Sequence, residues 1–164
     1  SKQQLIDMIS TLRREIPDIV LRTTLITGFP GETQGDHEEL MEFVDQMEFD
    51  RLGAFAYSPE ENTPAAEFPE QVPEECKEDW QAETMELQEE IIMDLNEEMI
   101  GKELYCMIEG QVSGENTYVG RTYRDAPDVD GYLFVDTDQQ LMSGDFVKVK
   151  VTGAYEYDLI GEII

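Results

Sequence analysis

Cysteine, histidine and basic residues are scarce in this chain, which has two Cys, one His and 11 Lys or Arg in 164 residues. Two cysteines cannot build a disulfide scaffold, and Cys76 and Cys106 have neither C-x-x-C spacing nor histidine companions, so we expect reduced, buried thiols and no metal site. His37 lies in an acidic helical pattern, where we expect a solvated side chain and not a ligand or a catalytic base.

Long apolar runs are also missing, since no stretch approaches the length of a membrane span. We therefore expect a soluble protein of the cytoplasm that contacts no membrane. The chain opens on Ser1, without an initiator Met or a basic-then-apolar leader, and we expect it to be part of something longer.

Negative charge is abundant: 38 Asp or Glu give a net charge of −27. Residues 99–164 are also acidic: they contain 5 Lys or Arg and 12 Asp or Glu, which gives this region a net charge of −7. Such a field repels the phosphates of nucleic acids and attracts basic partners. Solubility alone is the other explanation of an acidic surface, and net charge by itself does not decide between them.

Helical and strand patterns alternate in residues 1–98. Apolar residues follow helical spacing in "QLIDMISTLRREI" and "QGDHEELMEFVDQM", and strand-like runs, "IVLRTTLITGF" and "RLGAFAY", follow each of them. A long helix of about 24 residues is predicted by the four- and seven-residue steps from Cys76 to Leu95. This order predicts an α/β fold.

The pattern changes near residue 99, where helical spacing gives way to strands. Five β runs separated by turn residues fit into about 65 residues, which predicts a small five-stranded, OB-like barrel over residues 99–164. The chain is thus predicted to be α/β followed by all-β.

Two loops of the first region could contribute to a binding site. "TGFPGET", residues 27–33, and "FAYSPEENTPAAEF", residues 55–68, each leave the end of a predicted strand, and adjacent strand ends can assemble one pocket. The first loop has no lysine and lacks phosphate-loop spacing, so the residues alone favour a strand-to-helix turn in which Pro and Gly serve the backbone geometry. From the residues alone, the chain contains no complete catalytic constellation.

Four stretches carry a family resemblance: "LRTTLITGFPGET", "FAYSPEENTPAAEF", "QVPEECKEDWQAETMELQEEI" and "YVGRTYRDAPDVDGYLFV". They resemble the C-terminal part of the radical S-adenosylmethionine methylthiotransferases, which ends in a TRAM barrel. The last stretch resembles the branch that modifies ribosomal protein S-twelve, whereas the first two are shared with the tRNA-modifying MiaB-like branch.

The resemblance implies an enzyme, a transferase with S-adenosylmethionine and two [4Fe-4S] iron-sulfur clusters as cofactors, which methylthiolates the β-carbon of an aspartate in the small-subunit protein. Residues 1–98 would be the last part of a radical S-adenosylmethionine βα barrel with its exit helix, and residues 99–164 the TRAM domain. The cluster cysteines are absent, so we expect no metal ligands or catalytic residues here, and no activity or cofactor binding by this chain alone. The alternatives are a tRNA methylthiotransferase and a non-catalytic acidic interaction module.

Five residues would lie beside the cofactor according to this resemblance. These residues lie at the ends of the two predicted strands and in the loops that follow, and they are Ile26, Gly28, Glu32, Tyr57 and Ser58. An apolar face and bare backbone suit a purine.

The turn "GRTYRDAPDVDG" would dock the basic substrate protein, with the small ribosomal subunit as its wider setting, whereas the negative charge argues against tRNA. The docking residues would be Arg121, Tyr123, Arg124, Asp125, Asp128 and Asp130. Alternatively, the two arginines pair with those aspartates and only stiffen the turn. We also expect self-association through uncovered strand edges.

Overall fold

The computed structural model describes residues 1–164. Helices and strands alternate in the first part of the chain, and the second part consists of strands. The structure separates into two units, Ser1–Ile91 and Ile92–Ile164. Each has its own hydrophobic core. None of the helices is long and apolar enough to cross a membrane.

The first unit follows the predicted order of helices and strands. Its elements are α1 (Lys2–Glu15), β1 (Arg22–Thr27), α2 (Gln34–Met47), β2 (Arg51–Ala56), a short 3-10 helix (Pro64–Glu67) and α3 (Glu74–Glu97), which continues into the second unit. The two strands pair in parallel, with Arg22 opposite Arg51 and Thr27 opposite Ala56. A complete βα barrel is not visible in these residues.

Local sequence explains where α2 begins and ends. The Thr33 hydroxyl accepts a hydrogen bond from the Asp36 amide, and the Asp36 carboxylate accepts one from the Thr33 amide at 2.9 Å. This reciprocal pair satisfies two amides that the first turn of a helix leaves unbonded. At the other end, Glu48 adopts a left-handed conformation with φ 42°, which stops the helix.

The two-stranded sheet buries only one of its faces. Thr27 and Ala54 are buried, whereas Ile26 and Phe55, partners across the two strands, are 55% and 59% exposed. Alternation along a strand sends neighbouring side chains to opposite faces, so Ile26 and Phe55 form an apolar pair on the open face, which also carries Arg22 and Arg51. Large exposed apolar groups side by side usually mark a surface that another element or a ligand covers.

The second unit is a closed barrel, as predicted. Its strands are β3 (Glu103–Gln111), β4 (Thr117–Arg121), β5 (Leu133–Asp136), β6 (Phe146–Tyr155) and β7 (Asp158–Ile163), in the order β3-β4-β5-β7-β6. Every pairing is antiparallel except β5 with β7. Alternate residues point inward and form the core, which includes Leu104, Cys106, Ile108, Tyr118, Leu133, Val135, Val149, Val151 and Leu159.

Gly120 marks a point where two barrel strands lie unusually close. A Cβ atom at this position would come within 2.5 Å of both the Cys106 Sγ and the Met107 carbonyl oxygen. Real Cβ atoms do not approach other atoms so closely, and a carbonyl of the sheet cannot move aside without breaking the ladder. Glycine is therefore required by β3–β4 packing.

Replacing Gly120 with Ala is expected to lower the free energy of opening of the barrel by about 1–3 kcal/mol, through overpacking. Amide hydrogen exchange in β3–β7 measures this. The matched control is Gly110→Ala on β3, since a Cβ there meets nothing within 4 Å. Equal protection in the two variants would contradict the packing argument.

Burial raises the pKa of the Cys106 thiol from 9.0 to about 12, with the nearby carboxylates of Asp125 and Glu109 adding to the shift. Because this pKa is higher in the folded than in the unfolded chain, the contribution of the thiol to stability is complete below pH 9.0 and is lost as the pH rises toward 12. The thiol therefore stays protonated at neutral and mildly alkaline pH.

Iodoacetamide at about pH 8 should consequently label Cys76, which is partly exposed, and spare Cys106 in the folded protein. Peptide mass spectrometry reads both sites, and labelling in denaturant is the control. Equal labelling of both cysteines in the folded state would show that the barrel core is open to reagent.

Candidate functional site

The ends of β1 and β2 meet, as the sequence predicts for two parallel strands. The Tyr57 amide donates to the Thr27 carbonyl oxygen at 2.8 Å, and the rings of Phe29 and Tyr57 pack edge to face with centroids 5.2 Å apart. Phe68 joins them from the following loop, 6.4 Å from Phe29. The two loops therefore do lie side by side and carry an aromatic cluster.

Lys77, in the first turns of α3, is buried beneath these loops at 3% exposed. Its Nζ donates to the Tyr57 carbonyl oxygen at 3.1 Å, pairs with a Glu74 carboxylate oxygen at 2.8 Å, and lies 5.6 Å from the centre of the Tyr57 ring. Its own carbonyl accepts the Thr27 hydroxyl at 3.1 Å. One buried lysine thus fixes the ends of both strands.

Gly28 has a packing role that the sequence did not reveal. Its φ is 71°, and a Cβ atom there would lie 2.2 Å from the Lys77 Cγ. The bare backbone of Gly28 accommodates the lysine stem of the same chain, so close approach of a ligand is not needed to explain this glycine. Glu32 likewise acts within its loop, where its carboxylate accepts the Phe29 amide at 2.9 Å.

The remaining predicted cofactor residues differ in exposure. Ile26 and Ser58 are exposed, whereas the Tyr57 ring is buried and its hydroxyl has no hydrogen-bond partner. Phe55 was not singled out in the sequence, and its position opposite Ile26 follows from the register that pairs Arg22 with Arg51. Ile26 and Phe55 are thus two neighbouring apolar side chains that are more than half exposed.

The expectation of a solvated His37 is wrong. Its side chain is 1% exposed, stacks on Trp80 at 5.1 Å and hydrogen-bonds through Nε2 with Glu83 at 2.8 Å. The acidic neighbours in sequence lie on other faces of α2, while residue 37 faces α3. Helical spacing alone does not distinguish an imidazole that packs on a neighbouring helix from one in water.

No group of three or more His, Cys, Asp or Glu side chains in residues 1–164 is arranged to hold a metal ion. The two cysteines are 30 positions apart, Cys106 being inside the barrel. The residues present therefore do not fit an iron-sulfur cluster.

The barrel turn after β4 is held by its own aspartates. Asp125 accepts hydrogen bonds from the Thr122 amide and hydroxyl, at 3.3 and 2.8 Å, and Asp130 accepts the Ala126 amide at 2.6 Å. These are local side-chain-to-backbone bonds of the kind that define turns. Two of the three predicted docking aspartates thus shape the loop.

The arginines of the turn do not form an exposed docking pair. Arg124 is buried at 6% exposed, so it supports the turn from inside and is removed from the predicted docking surface. Arg121 is partly exposed and pairs with Glu109 on β3, with 2.7 Å between Nε and Oε1. Tyr123, 62% exposed, and Asp128 remain on the surface.

A cavity of about 350 Å³ lies at the other end of the barrel, between the β3–β4 turn and the loop after β5. It contains none of the predicted site residues. Its lining is mainly polar and includes Gln111, Asn116, Thr137, Asp138, Gln139 and Gln140.

Residues 100–164 match the family described as the TRAM domain. The chain is 54% identical over 161 residues to a protein of Lachnoclostridium phytofermentans and 48% identical over 157 residues to one of Desulfitobacterium hafniense. A Clostridium botulinum protein is 48% identical over 163 residues. All three are named ribosomal protein uS12 methylthiotransferase RimO.

These alignments cover 98%, 96% and 99% of this chain but only 37%, 35% and 36% of the three relatives. The closed barrel of the second unit lies within residues 100–164, the part that matches the TRAM domain. The whole chain is a homologue of the RimO proteins and corresponds to a TRAM-containing part of them, which confirms the resemblance found in the sequence.

Replacing Lys77 with Met keeps the stem against Gly28 but removes the donor to the Tyr57 carbonyl. Because that carbonyl would stay buried without its partner, we expect the free energy of unfolding of the first unit to fall by about 1–3 kcal/mol. Urea unfolding followed by the fluorescence of Trp80, the single tryptophan, measures it.

The matched control is Lys2→Met, which removes a surface ion pair with Glu39. Exposed pairs contribute about 0–1 kcal/mol, so this variant should unfold near the same urea concentration as the unchanged chain. If Lys77→Met were no more damaging than Lys2→Met, Lys77 would not be the anchor of the strand ends.

Proposed function

We propose that this chain is part of a radical S-adenosylmethionine methylthiotransferase that replaces a hydrogen on the β-carbon of an aspartate in ribosomal protein S-twelve with a methylthio group. The observation that carries the proposal is the similarity, at 54% and 48% identity, to proteins named for methylthiolation of uS12. The whole enzyme's activity belongs to a longer protein, since this chain spans little more than a third of those relatives.

The charge of the barrel supports a protein substrate over tRNA. Residues 99–164 carry −7, and RNA-binding surfaces instead concentrate Lys and Arg against phosphate. Of the five basic side chains in this region, Arg124 is buried, while Arg121 and Lys148 pair with Glu109 and Glu103. This distribution favours the ribosomal-protein branch over the tRNA branch.

The first unit would contribute strand ends to the cofactor site of the longer protein. Ile26 and Phe55 present two adjacent exposed apolar side chains, which suit a purine ring, and Lys77 holds the carbonyl group of the neighbouring Tyr57. This arrangement fits S-adenosylmethionine, which, when bound, would supply the radical chemistry. The [4Fe-4S] clusters would be bound by residues outside 1–164.

An assay with a longer protein that contains this chain tests the proposal. The protein is reconstituted without oxygen with iron and sulfide, then incubated with reductant, S-adenosylmethionine and either purified ribosomal protein S-twelve or total tRNA. We expect mass spectrometry to find one methylthio group in place of one hydrogen, on an aspartate of the ribosomal protein. Residues 1–164 alone should give no product.

Modified nucleosides in the tRNA with unmodified protein would instead assign the tRNA branch. If neither substrate changed while S-adenosylmethionine was still consumed, the target would be another molecule. No consumption of S-adenosylmethionine by the reconstituted protein would favour a non-catalytic interaction module.

A further inference from the structure

Two loops of the TRAM barrel project from the same end. The loop of residues 122–132 joins β4 to β5, and the hairpin Tyr155–Asp158 joins β6 to β7. Because β5 and β7 pair in parallel, with Leu133 opposite Leu159, both strands begin at this end. We call the surface formed by these two loops the tyrosine end.

The two loops are tied directly to each other. The Tyr132 amide donates to the Asp158 carboxylate at 2.7 Å, and the Leu159 amide donates to the Tyr132 carbonyl oxygen at 2.8 Å. Gly131 is so close to the hairpin that a Cβ would lie 2.0 Å from the Tyr157 carbonyl oxygen. The loops therefore form one surface with a fixed relative position.

Large aromatic side chains are exposed on both loops. Tyr123 and Tyr155 are 62% and 66% exposed, and Tyr157 is 45% exposed. Val129 adds a further exposed apolar side chain. Tyrosine supplies a large contact area with little conformational freedom to lose, which is why it is enriched at protein interfaces.

The five carboxylates of the tyrosine end fall into two groups. Asp125, Asp130 and Asp158 accept hydrogen bonds from the backbone of the loop. Asp128 and Glu156 make no side-chain hydrogen bond or ion pair, are exposed, and have φ values of 59° and 51° at the tips of their turns. These two carboxylates are the ones available to a partner.

We propose that the tyrosine end is a protein-docking surface for a lysine- or arginine-rich segment of the substrate protein, formed by the Tyr155–Asp158 hairpin together with the 122–132 loop. Tyr123, Tyr155 and Tyr157 would cover the aliphatic and guanidinium parts of the segment, and Asp128 and Glu156 would pair with its charges. This rests on the proposed function for the identity of the partner.

The chemistry of the two loops selects this occupant. They hold five carboxylates and a single basic residue, Arg124, which is buried. A nucleic acid would find no cation here to neutralise its phosphates, and an acidic protein would be repelled. A cationic segment is the one class of partner whose charge complements the surface.

Titration of residues 1–164 with purified ribosomal protein S-twelve, followed by calorimetry at low salt and at about 0.15 M salt, tests the proposal. The double variant Tyr155→Ala/Tyr157→Ala should raise the Kd at least about tenfold, as expected when central aromatic contacts are lost. The double variant Asp128→Asn/Glu156→Gln should raise it about fivefold at low salt and flatten the salt dependence.

Matched controls come from the opposite end of the same barrel. Phe146→Ala removes an aromatic side chain that is 70% exposed at the start of β6, and Glu115→Gln removes an exposed carboxylate from the β3–β4 turn. Both should leave the Kd within about twofold. Thermal unfolding checks that each variant is folded. If the tyrosine variant does not fold, the carboxylate variant, which alters only exposed side chains, tests the docking surface by itself.

The possible results separate this inference from the proposed function. If the protein binds but both tyrosine-end variants bind like the unchanged chain, the docking surface is elsewhere and the enzymatic proposal is unaffected. Binding of tRNA in place of the protein, or no binding of the protein at all, overturns the docking surface, and the mass-spectrometric assay then decides the enzymatic proposal separately.

Discussion

The parallel pairing of β5 with β7 is the constraint on which the barrel depends. Leu133 to Asp136 of one strand lie opposite Leu159 to Glu162 of the other, and this ladder closes a sheet whose other pairings are all antiparallel. Closure removes the open edges that a five-stranded sheet would otherwise expose. It also has a consequence for function, because parallel strands start at the same end. The loop that leads into β5 and the hairpin that leads into β7 are therefore neighbours, although about 25 residues separate them in the sequence, and glycine at position 131 lets their backbones touch.

Lys77 plays the corresponding part in the first unit. A two-stranded parallel sheet has little to hold its strand ends in place, since each loop leaves in its own direction. Here a helix that follows both strands brings one ammonium group under the Tyr57 carbonyl, one carbonyl under the Thr27 hydroxyl, and an aliphatic stem against Gly28. The cost of burying the charge is offset by the Glu74 carboxylate and the ring of Tyr57. The loops proposed to lie beside the cofactor thus depend on a residue outside both of them.

Element order and the barrel could be predicted from the sequence because their signals are local. Five β runs separated by turn residues indicated the barrel strands, and apolar steps of four and seven residues from Cys76 to Leu95 indicated α3 (Glu74–Glu97). What could not be predicted is which polar residues are buried. His37, Lys77 and Arg124 are all less than 10% exposed, and each is placed by a partner distant in sequence or by the path of a loop. Residue type alone predicts that such polar and charged side chains lie on the surface. The same reasoning led to a ligand-based explanation of Gly28, although the atom that requires glycine belongs to Lys77 of the same chain.

The carboxylates of the tyrosine end differ in whether they bind the backbone of their own loops or are exposed without a hydrogen bond. The carboxylates of Asp125, Asp130 and Asp158 accept hydrogen bonds from backbone amides. Replacing these residues would therefore destabilise the loops as well as change the charge. The side chains of Asp128 and Glu156 accept no such hydrogen bond, and both residues lie at the tips of turns that also carry exposed tyrosines. A net charge of −27 gives long-range attraction to any basic protein, but attraction of that kind does not choose an orientation. Orientation needs rigid contacts, and the tyrosine end would supply them, because Asp125, Asp130 and Asp158 fix the backbone of the loops that carry Asp128 and Glu156.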